Sequence, residues 1–552
     1  MVIKKIIASL LAASVLFTLA GCGTDTETLK KGEAEQSGID IFVKPEGNSN
    51  LAGDAMPFYD ETTGIMNVFY LYDDPTGVSS HHWNLTQTKD FLHWTEHEEV
   101  LPVASGPEAN RDPEQALATG SVIRDQDGVY HAFYTGFNYD RDIGLIKPEE
   151  LPFTEKIFHA TSSDLKTWKK YPELAFYGGY RDFRDPTIVW MPDIGERGEY
   201  WLLVTTRGQV DGREQSVIRR YRSEDLWHWG EHGAEVPELS DSDIFYTNDN
   251  AYNMECTSLL NWKGYWYLMF SAQTDIPKNV TEYRYMKDTG LTGDALDAQL
   301  SDPANWSKAE IPSVNGTGWY AAKFDTFKDD RLIGIGWTIS KQGFVDEGVW
   351  KWGGSLTPLE MNQREDGSLY ATPVREADEF LSREVRYERA VSNAGVTFGE
   401  DTIAFEGNGN RQLFLYEPLS SNITKWEFTI TPKTPSAELN IVFGAVDKNV
   451  NEKFPLVFDF ESGTVTSYCK GVTTEDGTEV PDMSGPDEVI AQVGFLKRES
   501  YDCTVLIDGN VMTLFIDGTS AFSMTIYKMP EEYFGFFTDT GGIEVGNSRF
   551  YE

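Results

Sequence analysis

Thr88-Lys89-Asp90-Phe91-Leu92-His93-Trp94 recurs as Ser162-Ser163-Asp164-Leu165-Lys166-Thr167-Trp168 and again as Ser223-Glu224-Asp225-Leu226-Trp227-His228-Trp229. Each copy reads as a Ser/Thr-x-Asp turn, an apolar residue, and a Trp that closes a strand unit. Working outward, five aromatic or β-branched runs surround these turns. They begin at Val68, Tyr130, Tyr200, Tyr265 and Leu332, spaced 62, 70, 65 and 67 residues apart. Gly64, Gly128, Gly198 and Gly264 precede the first four as turn residues. Helical periodicity is nearly absent from residues 48 to 360, so this region is all-β. Self-similarity at a steady spacing predicts a propeller, and five units of about 65 residues predict five blades of four strands. A large sandwich with incidental Trp turns is the alternative, and it must explain two coincident repeats.

The chain has 552 residues, too many for one ordinary core, so more than one domain is expected. A formal net charge of −41 argues against nucleic acid and polyanionic substrates, and favours a neutral partner. The 15 Trp, 26 Tyr and 32 Phe suit strands and stack on sugars when exposed. Lys4 and Lys5 precede an apolar stretch from Ile6 to Leu19 that closes with Leu19-Ala20-Gly21-Cys22. Residues 1–21 therefore read as a signal peptide, and the small residues before Cys22 are similar to a bacterial lipobox. Cys22 would be lipidated and anchor an exported protein to the membrane at the cell surface, with residues 22–45 as a flexible tether. An ordinary signal peptide followed by a chance Cys is the alternative. Removing Cys22 leaves Cys256, Cys469 and Cys503, an odd set that makes no disulfide framework, although Cys469 and Cys503 could pair. His93 and His97 flank Trp94 in a loop-like stretch and are read as structural or surface residues. No metal or other cofactor is expected.

In a propeller the first strand of each blade lines the central channel, and here it should immediately precede each aromatic run. Those segments hold Asp54 after Gly53, Thr119-Gly120-Ser121, Arg184-Asp185-Pro186, Met254-Glu255-Cys256-Thr257, and Tyr320-Ala321-Ala322-Lys323. Three carryings of a carboxylate, at Asp54, Asp185 and Glu255, are roughly in phase and should converge at one end of the channel. Carboxylates crowded in a desolvated funnel have their pKa values pushed apart, so one stays ionised while another holds a proton. Glycosidic bond cleavage needs that pairing: a nucleophile or base, and a general acid. Each acid also has an ordinary explanation. Asp54 could be a turn residue, Asp185 could cap a turn beside Arg184, and Glu255 could be paired inside its blade.

Taken together, Arg184-Asp185-Pro186 and Glu255-Cys256 resemble the Arg-Asp-Pro and Glu-Cys motifs of glycoside hydrolase family 32, the β-fructofuranosidases. Thr119-Gly120-Ser121, the Trp83 to Trp94 segment and Trp319-Tyr320-Ala321-Ala322 resemble further segments of that family, in the family's order, over about residues 48 to 376. The resemblance implies that Asp54 is the nucleophile, Glu255 the general acid/base, and Asp185 the transition-state stabiliser of a retaining reaction. It implies substrate contacts from Arg184, Trp83, Thr119, Ser121, Cys256, Trp319 and Tyr320, with Cys256 tuning Glu255. A fructoside is the implied partner. The chain departs from the family around the nucleophile: Leu51-Ala52-Gly53-Asp54-Ala55-Met56-Pro57 lacks the flanking Asn residues, and Leu71 stands where a Gln is usual.

Residues 46–375 are thus read as the propeller, 376–386 as a linker, with a short helix expected over Val374 to Arg383, and 387–552 as a β-sandwich with alternating strands and an Asp508-Gly509-Asn510 hairpin turn. Two other readings stay open: an inverting five-bladed glycosidase of the arabinanase and xylosidase type, and a non-catalytic glycan-binding lipoprotein.

Overall fold

The computed structural model describes residues 35–45, 51–73, 81–178, 182–229, 244–248, 250–274, 279–445, 450, 455–475, 478–529 and 532–552. All belong to the compact unit Ala34–Glu552. The predicted signal peptide, Cys22 and the tether up to residue 34 lie outside the described residues. Among those described, only three α-helices occur, the longest being Gly293–Ser301, and none is long and apolar enough to cross a membrane.

Every repeated aromatic run is a strand: Ile65–Asp73, Tyr130–Phe137, Glu199–Val210, Tyr265–Ala272 and Arg331–Lys341. Each pairs antiparallel with the segment before it, namely Leu51–Asp60, Ala116–Arg124, Arg184–Met191, Met254–Trp262 and Trp319–Phe327. Gly64, Gly128, Gly198 and Gly264 all have positive φ, the conformation that turns at these hairpins need. The five preceding strands neighbour one another cyclically, from the first to the second and onward until the fifth meets the first. Hydrogen bonding does not keep five separate sheets, however. A single pairing, Gly354 with Ala52, joins the first and last groups into one nine-stranded sheet, beside two sheets of four strands and one of three.

The three Ser/Thr-x-Asp turns share one geometry. Thr88 Oγ1, Ser162 Oγ and Ser223 Oγ accept from the N–H three residues on, at 2.8, 2.9 and 3.0 Å. Asp90, Asp164 and Asp225 each cap two further N–H groups through Oδ1. Phe91, Leu165 and Leu226 sit between these caps at φ of 53°, 65° and 68°. The side-chain bonds, each worth about 1 kcal/mol net, offset that backbone strain. The apolar residue is then driven into the core, where all three are buried.

One expectation about the N-terminal region is corrected. The tether does not run to residue 45. Glu35–Ile39 pairs with His93–Leu101, and Ile41, Phe42 and Val43 are buried. Ile41 and Phe42 donate their N–H groups to Asp508 Oδ2, both at 3.1 Å. Three consecutive apolar side chains bury favourably, and burial fixes the segment. The expected linker helix is present as Arg375–Phe380. It is pinned by Arg331, whose guanidinium forks onto Glu360 and Glu376 at 2.6–3.0 Å.

From there, an eight-stranded and a seven-stranded antiparallel sheet follow. Trp426 and Phe428 of one meet Phe534 and Phe536 of the other in a shared core, which makes the region a sandwich. Asp508 pairs with Val511 across the expected hairpin turn, with Gly509 at φ 59°. Asp346 ties this region to the first by accepting from Tyr527 N–H and Lys528 N–H at 2.8 and 3.1 Å. No disulfide joins Cys469 and Cys503, and both thiols are buried.

Candidate active site

All five strands of the ring carry a β-bulge at the same place. The pairing register slips by one residue between Gly53 and Met56, Ala118 and Gly120, Arg184 and Thr187, Glu255 and Ser258, and Tyr320 and Lys323. A bulge inserts an unpaired residue and re-aims the side chains around it. Four of the inserted residues, Asp54, Asp185, Cys256 and Ala321, have φ between 32° and 56°. Pro186, which has no N–H to give a ladder, falls inside its bulge at no cost.

The shared bulge fixes which residues are equivalent. Asp54 and Asp185 match each other and also Thr119, Cys256 and Ala321. Glu255 sits one residue earlier, matching Arg184 and Tyr320. The three carboxylates therefore occupy two levels of the ring, a correction to the reading that places them in one phase.

On the Glu255 level, Arg184 donates from Nε at 3.0 Å and Nη2 at 2.7 Å to Glu255 Oε1. Tyr320 OH donates to Oε2 at 2.6 Å. Both carboxylate oxygens are thereby held by rigid, charge-assisted bonds. Arg184 Nη1 is held in turn by Glu155 Oε1 and Asp182 Oδ1, each at 3.0 Å.

On the bulge level, Asp54 accepts from Thr119 Oγ1 at 2.5 Å and from Trp337 Nε1 at 3.0 Å. Burial pushes its carboxyl up to about 6; the two hydrogen bonds oppose the rise and the Glu255 charge adds to it. Asp185 Oδ2 accepts from Cys256 N–H at 3.0 Å, and its own N–H donates to Thr135 Oγ1 at 3.0 Å. Burial and then the Glu255 charge lift Asp185 to about 7, against the pull of Arg184. Cys256 meets Asp185 through its backbone N–H and also through its thiol, which lies 3.8 Å from Asp185 Oδ2 and from Thr119 Oγ1. Burial drives its thiol well above the ordinary range, so it is a neutral thiol.

Arg184, Thr119, Cys256 and Tyr320 thus meet the three carboxylates. The other expected contacts do not. Trp83 is fully buried and donates to Ala118 O at 3.1 Å, packed on Phe69 and Tyr134. Trp319 is fully buried and donates to Thr357 O at 3.1 Å. Both are core residues, because flat rings fill the wedge between neighbouring sheets. Ser121 Oγ accepts from Ile188 N–H at 2.9 Å and so braces two strands of the ring.

Trp337 and Glu155 were not anticipated. Trp337 ends the fifth aromatic run, so its strand was legible while its contact across the ring was not. Glu155 opens a strand with no local signal at all. The wall beside Asp54 also differs from expectation. A Cβ on Gly53 would lie 2.3 Å from Trp352 Cζ2, so the indole occupies the space that a side chain at residue 53 would need. Leu71, paired with Gly53, is buried against the same cluster. Trp352 stacks on His81, with ring centroids 4.3 Å apart and planes at 13°. Among the described residues, no cluster of His, Cys, Asp and Glu has a metal-holding arrangement.

A model of the glycosyl hydrolases family 32 N-terminal domain matches residues 54–373. An invertase of Debaryomyces hansenii is 25% identical over 213 residues, 36% of each chain. A sucrose-6-phosphate hydrolase of Vibrio alginolyticus is 24% identical over 331 residues, 59% of this chain and 62% of that one. The matches therefore span about a third and somewhat under two thirds of these relatives. In fold the chain is similar to a Bombyx mori family 32 β-fructofuranosidase (TM-score 0.59, 19% identity, 93% of this chain and 92% of that one). It is equally similar to an exo-inulinase of Aspergillus awamori (TM-score 0.60, 15% identity, 92% and 96%). The shared fold spans both the ring of sheets and the sandwich.

Proposed function

This chain belongs to glycosyl hydrolases family 32, and from that premise we propose that it hydrolyses β-fructofuranosidic bonds with retention. In this reading the ring of bulged strands is the channel wall of a five-bladed propeller; the cyclic order of those strands supports it. Asp54 attacks the anomeric carbon and forms a fructosyl ester. Glu255 gives its proton to the leaving oxygen and then takes one from the incoming water. Asp185, with Arg184 above it, holds fructose hydroxyls and balances the oxocarbenium charge. Asp54 must be ionised to attack, so activity should fall as pH drops through about 6.

The observation that carries this reading is the Arg184–Glu255–Tyr320 level set directly beside Asp54 and Asp185. Purified protein assayed on sucrose, inulin, levan and aryl arabinofuranosides tests it. Fructose release is expected from a fructoside and should be lost in Asp54→Asn and Glu255→Gln. Release that persists in both variants would sink the assigned roles. Arabinose release with inversion would favour the arabinanase-type reading.

A second reading, a glycan-binding propeller without turnover, is favoured by the Trp352 ring packed on Gly53 beside the nucleophile. Calorimetric binding of a fructan by wild type, with no release of sugar, would select it. We also propose that Cys22 is lipidated and anchors the exported protein. Its Cys22→Ala variant should leave the membrane fraction and lose metabolic fatty-acid label; retention of both would contradict the anchor.

A further inference from the structure

Below the two levels of the ring lies a third, formed by the residues that follow the bulge: Met56, Gly120, Thr187, Ser258 and Lys323. Lys323 is only 4% exposed, and its side chain crosses this level. Its ammonium donates to Gly120 O at 2.8 Å and to Thr187 Oγ1 at 2.7 Å. The Thr187 hydroxyl spends its own proton on Thr257 O at 2.7 Å, so its lone pairs face Lys323. Two of the three ammonium donors are thereby used, and among the described residues no hydrogen bond takes the third.

A buried, fully charged lysine is costly unless anions repay it. The groups that act on Lys323 are Asp54 from the first strand of the ring, Asp185 from the third and Cys256 from the fourth. The second strand offers only the uncharged Thr119 and the Gly120 carbonyl. Arg184, the other nearby cation, is engaged by Glu255, Glu155 and Asp182 on the opposite side of Asp185. The bulge level thus holds two aspartates with Lys323 as its floor, while Arg184 on the other side is already balanced by Glu255, Glu155 and Asp182. Burial lowers the Lys323 pKa to about 8 against the opposing pull of Cys256, then Asp185, then Asp54, so the ammonium is charged at neutral pH.

Resting on the hydrolysis reading above, we propose that Lys323 is a positioning residue for the reaction: the buried counter-cation that keeps Asp54 an ionised nucleophile. It touches neither substrate nor reacting atoms and acts through the carboxylates above it. Lys323→Gln keeps a donor for Gly120 O and removes the charge, whereas Lys323→Arg keeps the charge. In Lys323→Gln the acid limb of kcat/KM should move up by about one pH unit, with roughly fivefold lower activity at pH 6. Lys323→Arg should hold the limb where wild type has it, even if its rate is lower. An unmoved limb in Lys323→Gln, or the same displacement in both variants, would overturn the proposal.

A readout without turnover separates this from failure of the hydrolysis reading. The melting-temperature deficit of Lys323→Gln should be larger at pH 7 than at pH 4.5, because protonated aspartates need no counter-cation. A deficit equal at both pH values would overturn the proposal even if no fructoside is cleaved. If Lys323→Gln does not fold, Lys323→Arg carries the test, and an acid limb displaced upward in it contradicts a charge-based role.

Discussion

The two sides of the channel are built differently. Around Glu255 the ring is dense with charge: Arg184, Glu155, Asp182 and the Tyr320 hydroxyl interlock at 2.6–3.0 Å. Around Asp54 the wall is apolar and aromatic, made of Gly53, Leu71, Trp352 and Trp337, and among the described residues its side chain accepts hydrogen bonds only from Thr119 and the Trp337 N–H. The charged side fixes one carboxylate in one geometry. The apolar side buries Asp54, which raises its pKa and strengthens whatever electrostatic contact it does make. The hydrogen-bond network around Glu255 is therefore independent of the aromatic surface packed beside Asp54.

Three substitutions probe that contrast through activity. The largest effect belongs to Asp54→Asn, expected to cost roughly 10⁴-fold or more in kcat. Glu255→Gln should cost roughly 10²–10⁴-fold, and less on aryl fructosides whose leaving groups need little protonation. Equal losses on good and poor leaving groups would remove Glu255 from the acid role. Arg184→Lys should follow at roughly 10²-fold in kcat/KM, since an ammonium cannot fork onto one oxygen while holding Glu155 and Asp182. Full activity in Arg184→Lys would mean the charged side is scaffolding alone.

Two further predictions report on stability. The folded pKa of Asp54 is raised from 3.8 to about 6, so the native state pays for its ionisation as pH rises through that range. Asp54→Asn should accordingly be more stable than wild type by about 3 kcal/mol at pH 8, and nearly equal at pH 4. Denaturant melts at the two values check this, and a gain that ignores pH would refute the desolvated environment. Gly53→Ala should destabilise by about 1–3 kcal/mol, because its Cβ meets the Trp352 ring. Adding Trp352→Leu should restore most of that loss; a double variant no better than the single would mean Trp352 is not what excludes a side chain there.

Much of the fold could be read from the chain because its signals are local. The Ser/Thr-x-Asp turns cap their own N–H groups, and the aromatic runs are strands whatever surrounds them. The family motifs likewise occupy consecutive residues, so Arg184-Asp185-Pro186 and Glu255-Cys256 were legible. What stayed hidden is set by register and by contacts across the ring. A one-residue bulge decides that Glu255 is level with Arg184 instead of Asp54, and no composition rule announces it. Trp83 and Trp319 lie in segments similar to the family's, yet packing between sheets turns both into the core. Lys323 stood in full view three residues after Tyr320, but its meaning depends on Gly120 and Thr187, which are remote in sequence.

The most direct test of the account is to quench Glu255→Gln during turnover of an activated aryl fructoside and map its peptides by mass. The account predicts a gain of one fructosyl unit on the peptide carrying Asp54, absent when Asp54 is also changed to Asn. A fructosyl unit on any other residue, or substrate cleaved without any covalent intermediate while the α anomer is released, would contradict it.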